Sequence, residues 1–343
     1  MTALLCGLAQ PAEAAKKHKK HKKKAPSSLT YLGVADPSVV KAKSGFVIVG
    51  TGTNVSRAVA GNGLNFRAAD PALARKPAWA RTGAMWAADV QKVGKHWLLY
   101  FAAPVAGLKS SSRCIGVAVA SSPTGTFTPL DDRPLVCPAG AAVPAAEDRP
   151  TDLPSSHGDI DPSFVIMGGR PYLAYKTDGI PSSIRLLPLT ADGAHAAGPS
   201  YEILRSAGVV ENPVIFHHGK VWFLLTSEGS YTSCDYRTVW RRTLTPLASW
   251  QGATAHVMLN FHKQRICGPG GADVVTSKGK TLVYFHGWTC NGTRRPCAPP
   301  LSATSSADAG RRPVRTLYGM RLGFTKKGFP TFISWLKLPG KKK

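Results

Sequence analysis

Acidic residues are scarce in this 343-residue chain: 19 Asp and Glu stand against 44 Lys and Arg, for a formal net charge of +25. Such a field favours anionic partners. Part of it is local, because KKHKKHKKK at Lys16 to Lys24 and GKKK at the C-terminus hold ten lysines, and removing these from +25 leaves +15 for the body. Runs of this kind read as solvated, disordered tails. For an exported chain the expected anionic partner is an acidic wall polymer or pectic polysaccharide, and nucleic acid is not expected. Charge that only maintains solubility is the competing account. Long apolar runs are missing too. No stretch approaches the roughly 20 apolar residues of a membrane span, so none is expected. Sustained helical periodicity is also absent, and 34 Gly with 27 Pro argue against a helical or βαβ architecture.

What is present is β-rich. Short runs such as FVIVG, HWLLYFA, PYLAYK, VWFLLT and TLVYFHG are separated by Gly, Pro, Ser and Asp clusters. The start, MTALLCGLAQPAEAAKK, has a short apolar run followed by the small-x-small site Ala12-Glu13-Ala14. This resembles the tail of a secretory signal without its basic n-region, and predicts a first residue inside a longer signal peptide and a secreted, extracellular protein. Leu5 before Cys6 disfavours a lipid anchor. The other six cysteines suit disulfides in an exported chain. Sequence proximity favours Cys114 with Cys137, Cys234 with Cys267, and Cys290 with Cys297. Zinc binding by His286, Cys290 and Cys297 matches no common ligand spacing.

Five stretches share one grammar: ADPSVVKAKSGFVIVGTG, AADVQKVGKHWLLYFAAP, DIDPSFVIMGGRPYLAYKTDG, VENPVIFHHGKVWFLLTSEG and GADVVTSKGKTLVYFHGW. Each has an acid, a short apolar strand, a Gly-containing turn and an aromatic-rich second strand. The acids Asp36, Asp89, Asp161, Glu211 and Asp273 follow at intervals of 53, 72, 50 and 62 residues. Those intervals suit propeller blades of roughly 40 or more residues with loop insertions. The fold class expected is therefore all-β, a five-bladed β-propeller of four-stranded antiparallel blades around a central channel. Innermost strands line that channel, so acids that begin them would gather at one mouth. The expected organisation is a signal remnant over 1–15, a basic disordered tail over 16–29, the propeller over 30–336 and a basic tail over 337–343, as a monomer.

With these motifs the chain resembles glycoside hydrolase family 43, the arabinanase and β-xylosidase family, from about Leu32 to about Trp335. The segments that carry the resemblance are ADPSVV, WAADV, GDIDPSFV, VVENPVIF and the late histidine segment YFHGW. It implies Asp36 as general base, Asp161 as the aspartate that tunes and orients the acid, and Glu211 as general acid. It also places His286 near the central channel, where the arabinanases hold an ion, which implies a structural Ca2+ reached through waters and no required cofactor; His286 is expected among the substrate-binding residues as well. Hydrolysis of a glycosidic bond needs a protonated carboxyl on the leaving oxygen and an ionised one across the sugar. When the second activates water, the two stand about 6.5–9.5 Å apart. A neighbouring anion raises an acid's pKa, which suits Asp161 to keep Glu211 protonated.

Trp86 and Trp288 offer flat faces for a sugar, against ordinary packing; Trp86 is the expected subsite residue. Arg315 is the candidate contact to substrate hydroxyls, against a plain surface role. Asp89 and Asp273 lack the following Pro and read as structural hydrogen-bonding groups. Two positions depart from the family: Ala88 stands where Pro is usual, and Asn212 follows the acid in place of Gly or Ala. The function expected is inverting hydrolysis of an arabinose- or xylose-containing polysaccharide or oligosaccharide. The alternatives are a non-catalytic carbohydrate- or wall-binding propeller, and a basic surface-interaction protein whose tails matter more than its channel.

Overall fold

The computed structural model describes residues 25–150, 157–290, 292–299 and 313–339. The expected signal remnant, the lysine run and the last four residues lie outside them. Twenty strands form five four-stranded antiparallel meanders. The first blade holds β1 (Ser38–Ala42), β2 (Gly45–Gly50), β3 (Ser56–Ala60) and β4 (Arg67–Ala69). The second holds β5 (Trp86–Val93), β6 (His96–Pro104), β7 (Arg113–Ala120) and β8 (Thr128–Pro129). The third holds β9 (Asp159–Met167), β10 (Arg170–Thr177), β11 (Ser182–Pro188) and β12 (Tyr201–Ser206). The fourth holds β13 (Val210–His218), β14 (Val221–Glu228), β15 (Arg237–Thr243) and β16 (His256–Leu259). One helical turn, α1 (Phe261–Gln264), leads into the fifth, with β17 (Cys267–Ser277), β18 (Lys280–Thr289), β19 (Val314–Phe324) and β20 (Pro330–Trp335). This is the five-bladed propeller expected.

The middle of the second strand of each unit is apolar because both of its faces are buried there, one against each neighbouring blade. Side chains alternate along a strand, so β2 sends Val47 and Val49 toward the second blade and Phe46 and Ile48 toward the fifth. In β6, Leu99 and Phe101 pack on the first blade while Leu98 and Tyr100 meet Leu173 and Tyr175 of the third. Tyr172 and Ala174 then face Leu224 of the fourth, whose Phe223 and Leu225 face Val283 and Phe285 of the fifth. The core of the described residues thus has one apolar cluster at each of the five junctions, and a small sixth one of Cys234, Cys267 and Cys297. No blade buries its faces alone.

The ring is closed by the edge of β19. Its later residues, from Met320 to Phe324, pair with β20, while Leu317 and Arg315 accept backbone hydrogen bonds from Leu29 and Val34 at 2.7 and 2.8 Å. Leu29 is buried against the first and fifth blades. Disulfides join Cys114 to Cys137, Cys234 to Cys267 and Cys290 to Cys297, the pairing of sequence neighbours. Cys234–Cys267 ties the loop after β14 to the first residue of β17, across a blade boundary. Among the described residues no helix is long and apolar enough to cross a membrane.

Candidate active site

One residue near the start of each inner strand takes a left-handed backbone conformation: Asp36 (φ 50°), Ala87 (42°), Asp161 (58°), Asn212 (49°) and Gly271 (55°). These five are the equivalent positions, which corrects the register expected from the acids. Only Asp36 and Asp161 occupy the equivalent place; Glu211 lies one residue before it, and Asp89 and Asp273 two residues after. A spacing count aligned acid with acid, whereas the backbone kink sets the true register. Asp and Asn tolerate positive φ better than most residues. The fifth unit needs Gly, since a Cβ at Gly271 would lie 2.8 Å from His286 Nδ1 and 3.1 Å from Asp36 Cα.

The two-residue offset decides what Asp89 and Asp273 do. They lie deeper in the channel beside Ser38. Asp89 accepts from Ser38 Oγ at 2.6 Å and from the Phe164 N–H of the third blade at 2.7 Å. Asp273 accepts from the Val39 N–H of the first blade at 2.6 Å. Burial raises the pKa of both, and for Asp273 burial with the nearby Asp89 charge pushes it up to about 8.

A second ring stands behind the kinked one. Opposite the residue preceding each kink are Thr51, Ala102, Lys176, Ser227 and His286, one per blade on or just beyond the second strand. Three of them accept the N–H of the next blade's kinked residue: Thr51 Oγ1 from Ala87 at 3.0 Å, Ser227 Oγ from Gly271 at 2.8 Å, and His286 Nδ1 from Asp36 at 3.1 Å. Lys176 has no lone pair to offer when charged. Asp161 Oδ2 accepts the Asn212 N–H instead, at 2.9 Å, and the Lys176 ammonium binds Glu211 Oε2 at 2.8 Å and Asp178 Oδ1 at 3.2 Å.

Asp36, Asp161 and Glu211 come together in one cleft of about 210 Å³, lined also by Trp86, Tyr231 and Arg315. Their environments differ. Burial would raise Asp36, but the Arg315 guanidinium, then His286, then the Thr51 hydroxyl outweigh it and hold the carboxyl below its usual value; Arg315 Nη1 lies 3.1 and 3.3 Å from its two oxygens, and Thr51 Oγ1 donates at 2.8 Å. Asp161 goes the other way. Burial, then the Glu211 charge, push it well above its usual value against the pull of Lys176. Burial would lower the Lys176 ammonium, yet Glu211, Asp178 and Asp161 raise it, so it stays charged. Glu211 Oε1 is 2.6 Å from the Tyr236 hydroxyl.

Trp86 and Arg315 therefore sit at the cleft, Trp86 with the Arg113 guanidinium stacked on it at 3.0 Å. His286 does not reach it. Fully buried, it stacks on Tyr236 and presents Nδ1 to Asp36. Burial lowers its pKa to about 3, so the ring is neutral, and with Nδ1 accepting, the proton is on Nε2. Among the described residues that buried N–H has no partner, and it suits a water or an anion. Among the described residues no three His, Cys, Asp or Glu side chains group as ion ligands. A channel Ca2+ bonded directly to His286 does not fit this donor, whereas a water between them does. Trp288 braces the cleft, its Nε1 donating to the Tyr231 carbonyl at 2.8 Å.

Sequence reasoning missed Thr51, Lys176, Tyr231 and Tyr236. For Thr51 and Lys176 a signal existed: polar residues ending apolar second strands, in VIVGT and YLAYK. Tyr231 and Tyr236 sit in a loop held by the Cys234–Cys267 disulfide and carry no comparable mark.

A profile of the family described as Glycosyl hydrolases family 43 matches residues 31–304. Comparison with curated protein sequences gave no match. Among solved structures, the chain is similar to an α-L-arabinanase of Cellvibrio cellulosa at 20% identity and TM-score 0.65, covering 88% of this chain and 96% of that one. It is similar to a native arabinanase of Bacillus subtilis at 18% identity and TM-score 0.62, covering 88% and 97%. An endo-1,4-β-xylanase from Bacteroides thetaiotaomicron gives 19% identity and TM-score 0.63, covering 90% and 97%. At these identities the structural likeness establishes the shared fold.

Proposed function

The chain belongs to glycosyl hydrolases family 43 and is a glycosidase, and we propose that it cleaves arabinose- or xylose-containing polysaccharide or oligosaccharide with inversion at the anomeric carbon. The observation that carries this reading is the opposed environment of carboxyls lining one cleft: Asp36 is held ionised by Arg315, while Asp161 is pushed toward its neutral form. In the proposed reaction Asp36 takes a proton from the attacking water, Glu211 gives its proton to the leaving oxygen, and Asp161 orients Glu211 through the adjoining Asn212 N–H that it accepts. Trp86 and Tyr231 present flat faces to the sugar. An arabinanase of this fold has been solved with arabinohexaose, at 18% identity and TM-score 0.64, which supports an oligosaccharide ligand for the cleft. Three disulfides support an extracellular location, and the lysine-rich tails an anionic wall polymer as a second contact.

A carbohydrate-binding propeller without turnover is the second reading. The Lys176–Glu211 ion pair favours it, since it stabilises the anion of the group that must donate a proton. Hydrolysis decides. Glu211→Gln and Asp36→Asn each abolish cleavage of aryl arabinofuranosides or arabinan, with circular dichroism and melting unchanged, and NMR finds the first-formed sugar in the inverted anomer. Wild-type activity in both variants overturns the assignment.

A further inference from the structure

Beside the Ser227 hydroxyl, the Tyr236 hydroxyl faces two oxygens that compete for its proton: Oη lies 2.6 Å from Glu211 Oε1 and 2.7 Å from Asn212 Oδ1. A phenol has one proton to give and otherwise accepts. Burial, then the Glu211 and Asp36 charges, keep Tyr236 protonated, so that single proton must be allotted to one side or the other. When Glu211 carries its proton on Oε1, both contacts are satisfied at once: Glu211 donates to Oη and Oη donates to Asn212 Oδ1. When Glu211 is ionised, the hydroxyl has reason to turn and donate to the carboxylate.

We propose that Asn212 is a positioning residue for the acid step, the acceptor that holds the Tyr236 proton while Glu211 is protonated and releases it to Glu211 Oε1 once the acid has been spent. The inference rests on Glu211 being the general acid. In the step, the Glu211 O–H bond breaks as the leaving oxygen takes the proton and the electron pair of the glycosidic bond, water forms the new bond to carbon and yields a proton to Asp36, and the Tyr236 hydroxyl rotates without any bond changing. Asn212 thereby counters Lys176, which holds Oε2 at 2.8 Å and favours the anion. The other groups around Glu211 are Asp161 on β9, Asp36 ahead of β1, Asp178 beyond Lys176, Arg315 on β19, and His286, which stacks on the Tyr236 ring. It also gives a use to the position where this chain departs from the family's Gly or Ala.

The test is the titration of Glu211, read directly by NMR of the chain labelled with 13C at the glutamate carboxyls, of which there are five, with Glu211→Gln assigning the signal. Asn212→Gly keeps the left-handed backbone and removes the acceptor. Its Glu211 midpoint falls by about one pH unit, tenfold in proton affinity, since one neutral hydrogen bond is lost from the protonated state alone. The basic limb of kcat/KM moves by the same amount, and in a Tyr236→Phe background Asn212→Gly causes no shift. A midpoint unchanged or raised in Asn212→Gly, as expected if the amide is turned so that Nδ2 donates to Oη, overturns the proposal. So does an equal shift with and without the hydroxyl. If the coupled shift is found but no arabinoside or xyloside is hydrolysed, the proton switch stands and the glycosidase assignment to this cleft falls.

Discussion

At the scale of single residues, the site separates its carboxyls by their nearest neighbours. Asp36 has an arginine and a hydroxyl, Glu211 a lysine and a phenol, Asp273 backbone N–H groups, the Ser38 hydroxyl and the nearby Asp89. The last case has a consequence for stability. Asp273 titrates near 3.8 when the chain is unfolded and near 8 in the folded channel, so between those values the folded state binds more protons and its stability falls as pH rises. Asp36 runs oppositely: its stabilisation is present above the ordinary carboxylate range and is lost as pH falls through its depressed value. Asp273→Asn, which cannot ionise, should therefore gain on the wild type as pH is raised from 5 to 8. The difference in Tm between the two proteins, followed across that range, checks the sign, and a constant difference would show that Asp273 is not neutral in the fold.

At the scale of elements, the strand pairs were legible in the sequence and their register was not. Runs such as HWLLYFA and VWFLLT announce strands buried on both faces, and ADP and IDP mark two of the kinked positions correctly. The spacing of acids then misplaced Asp89, Glu211 and Asp273 by one or two residues, because side-chain identity carries no record of backbone φ. Lys176 was hidden for a related reason: it ends an ordinary strand, and only its pairing opposite Ile160 brings the ammonium to Glu211 on the next blade. The loop bearing Tyr231 and Tyr236 depends on a different element, the disulfide from Cys234 to Cys267, 33 positions apart. Replacing both cysteines by serine removes a cross-link worth about 4 kcal/mol for a loop of this order. Because that loop carries a cleft aromatic, KM for the oligosaccharide should rise more than kcat falls. Steady-state kinetics beside a denaturant titration check both parts, and an unchanged KM would show that the loop is held by its other contacts.

At the scale of the whole molecule, five blades share five junctions, so each junction depends on the ring being shut. The shutting contact is the segment around Leu29 and Val34 on the edge of β19. Deletion through Lys24 should leave Tm unchanged. Deletion through Val34 strips backbone hydrogen bonds and a buried leucine, and should lower stability by about 3–5 kcal/mol. It should also reduce activity, because the uncovered strand carries Arg315, the partner of Asp36. Urea titrations of the two truncations separate these outcomes, and equal stability would place closure elsewhere.

That closure also orders events in time. Asp36 and Arg315 are 279 positions apart, so as the chain is made from its N-terminus, the segment that seals the ring must wait until the last blade has appeared. Contacts of such separation form slowly. An incomplete chain therefore holds blades with one apolar face open and Asp36 without its arginine. The cleft is complete only when the two ends of the propeller meet, so a prematurely terminated product lacks the Asp36–Arg315 pair.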